Sequence, residues 1–347
     1  MRTSTRPSGG RWQPPATLAG EGVYPLLALD GDGNAIASWE SPTGIPVATR
    51  PAGGAWSAPQ ILYSGRHRAP KIAGNARGDA IVVWDGGGVR AAVRPAGGAF
   101  GQAQVISHSN GAQNPSVAID ARGDAIVAWL DYPGSVVRAA FRLSGGRWST
   151  PQTLSASHER SFGPSVAIDG CGGATVVWSA VTGRDEVIEA AGHTRDGHWR
   201  QQQTVVSAFN VDDEPQVGMD TRGGIVVAWS QTPQEGPARI WTRTRSDGGK
   251  WNIARPIPRG KGLSPSLTVD ARGDALLGWE GQHAIEVVSR VYGGHWQRVR
   301  TLFRGRIRYG GPQVVIDARG DALVAWQDNS DLADASIETS IHPALFR

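Results

Sequence analysis

The sequence predicts an all-β fold, a seven-bladed β-propeller with four antiparallel strands in each blade. A unit of roughly 48 residues recurs along the 347-residue chain, and its tryptophan stands at positions 39, 84, 129, 178, 229, 279 and 326. The 47 glycines and 22 prolines leave no long amphipathic run for a helix and favour short strands joined by tight turns. A fixed repeat of this length is typical of propellers and solenoids.

Each unit is expected to contain four strands. In the third copy they are Ser116–Ile119, Ala125–Trp129, Val136–Arg142 and Pro151–Ser155. The first two are apolar at nearly every position, a pattern typical of strands that are covered on both faces. Blades stacked radially around an axis cover their strands in this way.

The segment between the first two strands predicts a tight hairpin. The carboxylate of Asp120 can accept hydrogen bonds from the turn amides, and Gly123 can adopt the left-handed conformation that completes a bulged type I turn. A proline precedes every copy, and a Gly-Gly-x-Trp segment follows strand three, as at Trp56 and Trp148. The turns are therefore as regular as the strands.

The two ends of the sequence predict closure into a ring. The seventh copy stops after its third strand, Ser336–His342, whereas Gln13–Leu18 near the N-terminus resembles a fourth strand. Pairing the N-terminal segment with the last blade, as its outer strand, would remove two open sheet edges. We expect a single propeller domain over residues 1–347, with residues 1–8 frayed.

The repeated hairpin resembles the Asp-box of sialidase-type propellers and related carbohydrate-active proteins. The family motif is Ser/Thr-x-Asp-x-Gly-x-x-Trp; here Asp-x-x-Gly-Asp is followed by a tryptophan nine residues after the first aspartate. The resemblance covers nearly the whole chain and implies the architecture and a raised chance of sugar binding. The arginine triad and Tyr-Glu pair of sialidases cannot be placed, so the resemblance implies no catalysis.

Composition excludes several classes of protein. The formal charge is only +4, and Cys171 is the single cysteine, so neither an intrachain disulfide nor a cysteine metal site is possible. No apolar run approaches the length of a membrane helix. Met1–Arg6 lacks the apolar region of a signal peptide. We expect a secreted or cell-surface protein whose leader is absent from this sequence, with no cofactor and no membrane partner.

Several motifs are better interpreted as structure than as sites. Of the 14 tryptophans, 13 occupy repeat positions, and Trp241 stands where other copies carry arginine, as a packing residue in preference to a ligand platform. The calcium-like Asp30–Asn34 segment lacks the rest of a calcium loop and is expected to be a turn. Arg-Gly-Asp occurs in the same hairpin of four copies, where geometry demands glycine and aspartate, which disfavours an adhesive role.

Candidate ligand residues lie in loops that break the repeat. Loops on a rigid scaffold commonly carry binding residues, and arginine can hold carboxylates or sulfates with two hydrogen bonds. The loops before strand one contribute Arg66, His67, Arg68, His108, His158, Arg160, Arg306, Arg308 and Tyr309, and those after strand two contribute Asp85, Asp131, Glu280 and His283. The irregular spacing of the histidines argues against a metal site. The scattered arginines and the absence of a recognition motif argue against nucleic acid.

These observations predict a ligand-binding propeller that recognises a glycan or another anionic ligand, in a lectin-like manner, through loops on one face. An alternative is a polysaccharide lyase or glycoside hydrolase with one funnel-shaped site. In that case Arg306 or Arg308 would neutralise a uronate, and protons would be transferred by Tyr309 and one of the histidines His67, His108 and His158. A protein-interaction scaffold is the third alternative. The ligand, the oligomeric state and the number of sites stay open.

Overall fold

The chain is built entirely of short antiparallel strands. The computed structural model describes residues 2–3, 16–17, 23–65, 68–156, 159–183, 185–208, 210–211, 214–305, 311–316, 322–328 and 336–341. They form 29 strands, arranged as six four-stranded sheets, one three-stranded sheet and one two-stranded pair. No helix in this described part of the chain is long and apolar enough to cross a bilayer. The predicted all-β class and four-stranded repeat are confirmed.

One compact unit, Gly22–Ser207, holds the first four sheets. The first sheet contains β3 (Val23–Leu29), β4 (Ala35–Glu40), β5 (Ile45–Arg50) and β6 (Gln60–Tyr63), and the second contains β7 (Arg68–Gly74), β8 (Ala80–Asp85), β9 (Val89–Arg94) and β10 (Gln104–Val105). The third contains β11 (Ala112–Ile119), β12 (Ala125–Asp131), β13 (Val136–Arg142) and β14 (Gln152–Thr153), and the fourth contains β15 (Arg160–Ile168), β16 (Ala174–Thr182), β17 (Asp185–His193) and β18 (Gln203–Ala208).

The other compact unit comprises Met1–Glu21 and Ala208–Arg347. Its fifth sheet contains β19 (Gln216–Met219), β20 (Ile225–Gln231), β21 (Arg239–Arg245) and β22 (Arg255–Lys261), and its sixth contains β23 (Leu263–Val269), β24 (Ala275–Gly281), β25 (Ala284–Arg290) and β26 (Arg300–Arg304). The seventh contains β27 (Gln313–Ile316), β28 (Ala322–Asp328) and β29 (Ser336–Ile341), and a separate pair joins β1 (Arg2–Thr3) to β2 (Ala16–Thr17).

Strand two of the first six sheets is buried on both faces, as its apolar sequence predicts. On β12, Val127 packs in a cluster with the second sheet, while the adjacent Ile126 packs in a cluster with the fourth. The tryptophans that close the first six of these strands are no more than 1% exposed. They are therefore core residues, which confirms the packing interpretation of their repeat positions.

In five sheets the proline that precedes the copy lies at a bulge in strand one. Pairing between β11 and β12 shifts between Gln113 and Ser116, and Pro115 lies within that shift. The same irregularity surrounds Pro25 and Pro70 in the first two sheets. Proline cannot donate a ladder hydrogen bond and is tolerated at bulges. Strand one consequently begins up to four residues earlier than its uninterrupted apolar run predicts.

The hairpin turn has the predicted geometry. Oδ1 of Asp120 accepts hydrogen bonds from the amides of Arg122 and Asp124 at 2.8 and 2.9 Å. Gly123 has a φ of 90°, in the left-handed region that glycine adopts without strain. In the calcium-like segment, Asp30 makes equivalent bonds to the amides of Asp32 and Asn34, both at 2.9 Å. That segment is a turn.

The aspartate of Arg-Gly-Asp has a structural role in the copies that the structure describes. Oδ1 of Asp124 accepts the amide of Ser144 at 2.9 Å, tying the first hairpin to the turn between strands three and four. Asp79 and Asp274 make the same bond to Ala96 and Tyr292. Asp79 and Asp124 are also buried, so the carboxylates of these triplets serve the hairpins. The fourth triplet, Arg319–Asp321, lies outside the described residues.

The N-terminal strands belong to the same compact unit as the seventh sheet. β2 lies within the segment predicted to complete that sheet, but its partner is β1. Cα atoms of β1 lie within 8 Å of β29. Arg2 and Thr3, expected to fray, therefore form a strand, while residues 4–8 lie outside the described part of the chain.

At the end of strand three, an arginine or histidine side chain contacts the tryptophan that follows the next turn. The guanidinium groups of Arg245 and Arg290 lie over the rings of Trp251 and Trp296, at 4.9 and 5.1 Å from the ring centroids. In the fourth sheet His193 replaces the arginine; its ring lies 5.0 Å from Trp199 and 4.6 Å from Phe141. Burial lowers the pKa of His193 below its usual value.

Acidification is therefore expected to destabilise the unit that contains His193. An unfolded histidine gains a proton near pH ~6.5, whereas folded His193 gains it only at lower pH, so stability present above about pH 6.5 is lost as the pH falls toward the folded pKa. Thermal unfolding between about pH 7.5 and pH 5 should show a smaller loss of Tm in His193→Gln than in the unchanged protein. His108→Gln, at an exposed histidine of the same unit, is the matched control. Equal losses in all three proteins would contradict the assignment.

Candidate functional site

One position of strand three varies while its partner in strand two does not. It lies directly across from the tryptophan that closes strand two, and we call it the Trp-facing position. Cross-strand partners share a face of the sheet, so this residue is the tryptophan's neighbour. The pairs are Trp84 with Arg90, Trp129 with Arg138, Trp178 with Glu189, Trp229 with Trp241, Trp279 with Glu286 and Trp326 with Glu338.

In the second and third sheets the Trp-facing residue is an arginine that interacts with nearby groups of the protein. Nε of Arg90 donates to the carbonyl of Gly86 at 3.1 Å, and its guanidinium lies over Tyr63, 4.8 Å from the ring centroid. Nε of Arg138 lies 3.2 Å from a carboxylate oxygen of Asp131, which also accepts the hydroxyl of Ser109. These cations already have partners, and Asp131 is buried.

In the fourth sheet the position belongs to a buried carboxyl pair. Oε1 of Glu189 accepts the hydroxyl of Thr204 at 2.8 Å, and Oε1 of Glu159 accepts the amide of Gln202 at 2.6 Å. Both glutamates are less than a tenth exposed. Burial raises the pKa of Glu189, repulsion from Glu159 raises it further, and the hydrogen bond from Thr204 opposes both effects. The two carboxyl groups are therefore enclosed together, with little access to solvent.

The sixth sheet holds a third kind of environment. Nε1 of Trp279 donates to Oε2 of Glu286 at 3.0 Å. Burial raises the pKa of Glu286, while the bond from Trp279 and the charge of Arg304 lower it. Arg304 is the register partner of Ala284, two residues before Glu286. This carboxylate therefore has both a donor and a nearby cation.

In the fifth sheet the position is aromatic and lines a cavity. The ring of Trp241 stacks on Trp229 with 6.4 Å between centroids and 16° between planes, so it packs as predicted. It is nevertheless only half-buried. A cavity of about 350 Å³ lies beside it, lined by Gln231, Pro233, Glu235, Pro237, Arg239, Trp241 and Lys261. We call this cavity the Trp241 groove.

Two departures from the repeat form the Trp241 groove. Residues 232–238 make a longer connection between strands two and three than those of the first four sheets and the sixth, and prolines 233 and 237 stiffen it. On β22, the four residues 257–260 lie opposite the single residue Ile240, so β22 bulges at this point. Gly262 then donates its amide to the carbonyl of Ala238 at 3.0 Å, joining the two loops. Bulges of this kind redirect side chains and often occur beside binding sites.

The groove combines the groups that bind polar ring-shaped ligands. Trp241 offers an aromatic face, and Arg239, Lys261 and Glu235 offer charged groups around it. Gln231 is held in place because its amide oxygen accepts the indole N–H of Trp229 at 3.3 Å. The lining is thus an aromatic platform with converging polar side chains. The described residues contain no group of three or more metal-binding side chains.

The residues predicted as ligand contacts are distributed over other sheets. His108 is exposed in the loop before β11, His283 is exposed in the turn before β25, and Glu280 lies on β24. Arg160 is exposed with its guanidinium over Phe162, Asp85 and Asp131 are buried, and the backbone of Arg68 pairs with Asp85. None of these lines the Trp241 groove. Outside the described residues lie Arg66, His67, His158, Arg306, Arg308 and Tyr309.

The groove was not predicted from the sequence as a binding site. Trp241 stood out as the one tryptophan outside the repeat, but it was expected to pack and not to bind a ligand. Arg239, Glu235 and Gln231 were not predicted. The available signal was the pair of prolines in an unusually long connection, since an insertion with fixed backbone is typical of a shaped loop.

Comparison with solved structures finds the same fold in carbohydrate-active proteins. An ulvan lyase, described as a new family of polysaccharide lyase, aligns at a TM-score of 0.61 with 12% identity, over 90% of this chain and 90% of that chain. The polysaccharide lyase Uly1 aligns at 0.57 with 11% identity, over 91% and 88%. A Hadza microbial sialidase aligns at 0.52 with 13% identity, over 91% and 75%. Likeness at this identity shows a β-propeller repeat fold, which confirms the resemblance.

Comparison of the sequence itself gives no relative. No protein-family model matches the chain, and no curated protein matches it.

Replacing Glu189 by glutamine is expected to stabilise the fourth sheet at neutral and alkaline pH. The folded pKa of Glu189 is raised above the unfolded value of about 4.3, so its unfavourable contribution appears as the pH rises through that value toward the folded pKa. Glu189→Gln should raise Tm near pH ~8 and change it little near pH ~4. Asp185→Asn, at an exposed site on the same strand, should change neither. A Tm gain of Glu189→Gln that does not depend on pH would show that ionisation is not the cause.

Proposed function

We propose that this protein is a carbohydrate-binding β-propeller and that a glycan binds in the Trp241 groove. The observation that carries the proposal is a half-buried tryptophan on a rigid sheet, surrounded by an amide, a carboxylate and two cations. The apolar face of a sugar ring can stack on an indole, and its hydroxyls need donors and acceptors at the ring edge. The groove provides both.

The size and stiffness of the groove support this function. A cavity of about 350 Å³ lies at the lower end of the range for small-ligand sites, which suits one or two sugar residues. Trp241 is supported from below by Trp229, and prolines 233 and 237 limit the motion of the loop. A platform that does not reorganise binds with less entropy loss.

The comparisons add an argument by analogy. A second ulvan lyase structure, which contains bound -[GlcA(1-4)Rha3S]-, aligns with this chain at a TM-score of 0.60 and 12% identity. Function on a shared fold is decided by local residues, so this raises the prior for a glycan without naming it.

The test is binding of the whole chain to a panel of neutral and acidic polysaccharides, measured by affinity electrophoresis and calorimetry. Trp241→Ala should weaken binding about tenfold or more, because the stacking surface is lost, and Trp241→Phe should weaken it less. Trp251→Phe is the matched control: Trp251 lies under Arg245 away from the groove, and Phe100 fills its place in the second repeat. Tm measured for each variant separates unfolding from loss of contact. Binding that is unaffected by Trp241→Ala would refute the proposed site.

A polysaccharide lyase is the second candidate. It is favoured by the likeness to two lyases over about nine-tenths of the chain. Its proposed residues are Arg306 or Arg308 to neutralise a uronate, and Tyr309 with one of His67, His108 and His158 to transfer protons. Growth of the ultraviolet absorbance of an unsaturated uronate, in the same polysaccharide panel, would establish it. Binding without that product would reject the lyase and support a carbohydrate-binding protein.

We also propose that the seven repeats close into a single seven-bladed ring, with the N-terminal segment at the edge of the seventh sheet. Support comes from the regular repeat and from β1 lying near β29 in one compact unit. Deleting residues 1–18 should then expose the edge of β29, and amide hydrogen exchange in β29 should accelerate while exchange in β25 stays unchanged. Unchanged exchange in β29 would reject this closure.

A further inference from the structure

Two cations face each other at the rim of the Trp241 groove. The bulge in β22 makes Lys261 the register partner of Arg239, in place of the apolar or neutral residue that regular pairing would put there. Direct partners on antiparallel strands have Cβ atoms about 4.5–5.5 Å apart. Like charges in that relation repel each other, so the arrangement is unfavourable without an anion. The bulge costs ladder hydrogen bonds to create it.

No protein carboxylate neutralises this pair within the described residues. Other arginines beside strand-two tryptophans are satisfied, as Arg138 is by Asp131 at 3.2 Å. Arg239 and Lys261 are both exposed and make no ion pair within 4.0 Å among the residues that the structure describes. Glu235 lines the same groove but is not within that distance of either cation. The pair is therefore available to a negatively charged ligand.

We infer that the Trp241 groove selects an acidic sugar, whose carboxylate or sulfate group lies between Arg239 and Lys261 while the sugar ring stacks on Trp241. This inference rests on the proposed glycan-binding function and specifies its ligand class. Arginine matches the two oxygens of a planar or tetrahedral anion with paired hydrogen bonds, and lysine adds a compact charge from the other side. The anion replaces repulsion between two cations with two charge-assisted contacts.

Glu235 and Gln231 define the orientation of such a ligand. A carboxylate at Glu235 accepts hydrogen bonds from hydroxyl groups and repels an anion, so the acidic substituent is directed toward the cation pair. The amide nitrogen of Gln231 has no partner among the described residues and lies at the same cavity, available to a ring or hydroxyl oxygen. An acidic residue in one orientation is favoured, and neutral or basic sugars are not.

The test uses three polymers with one backbone: dextran, carboxymethyl-dextran and dextran sulfate. The whole chain should bind both acidic polymers at least about tenfold more tightly than dextran, and increasing salt should weaken only the acidic complexes. Comparing carboxymethyl-dextran with dextran sulfate distinguishes a carboxylate ligand from a sulfate ligand. Tighter binding of either acidic polymer than of dextran supports the inference.

Four variants connect that selectivity to the cation pair. Arg239→Gln and Lys261→Gln should each weaken acidic binding about tenfold, and the double variant should remove the preference over dextran. Arg239→Lys keeps the charge but loses the paired hydrogen bonds, so it should recover part of the affinity. Arg255→Gln is the matched control and should bind normally. Arg255 is an exposed arginine on β22, the strand that carries Lys261, and it does not line the groove.

The outcomes separate the two proposals. If dextran and the acidic polymers bind equally and Trp241→Ala weakens all of them, the groove binds glycans but the inference of acidic selectivity is wrong. If acidic binding falls as much in Arg255→Gln as in Arg239→Gln, the attraction is a general surface charge and the inference is also wrong. If no polymer binds, or if binding ignores Trp241, the proposed function itself fails.

Discussion

The complete burial of strand two is the constraint on which the architecture depends. Alternate residues of β12 pack against different neighbouring sheets, so both faces are enclosed by apolar contacts. The tryptophan at the strand's end is enclosed to the same degree. A sequence under that constraint has little freedom in strand two, and the chemical differences between repeats appear beside it, at the Trp-facing position and in the loops that adjoin it.

The variation at that one position explains how a repetitive chain acquires distinct local chemistry. Arginine, glutamate and tryptophan occupy this position in different sheets, and each makes different contacts with its neighbours. A pair of carboxyl groups is buried in the fourth sheet, while an aromatic side chain faces a solvent-accessible groove in the fifth. The rigid sheets hold the Trp-facing position beside the core, so a single substitution at that position changes the chemistry of the adjoining surface.

The repeat made most of the fold predictable from sequence. Val136–Arg142 was predicted to the residue as a strand, because its ends are set by the turns on both sides. Strand one was predicted too short, because the proline suggested an end where the chain instead makes a bulge. The Trp241 groove was not predicted, since it depends on a bulge in β22 that changes which residue faces Arg239. Register of that kind has no signature in composition or periodicity.

The outer edges of the sheets have a consequence for association between molecules. Strand four is only two residues long in the second and third sheets, and in the fifth and sixth its pairing is interrupted by bulges. An incoming strand from another chain needs a long, regular row of free amides and carbonyls to attach. The outer strands of these four sheets deny it one, and their shortness and irregularity disfavour amyloid-like growth from those edges.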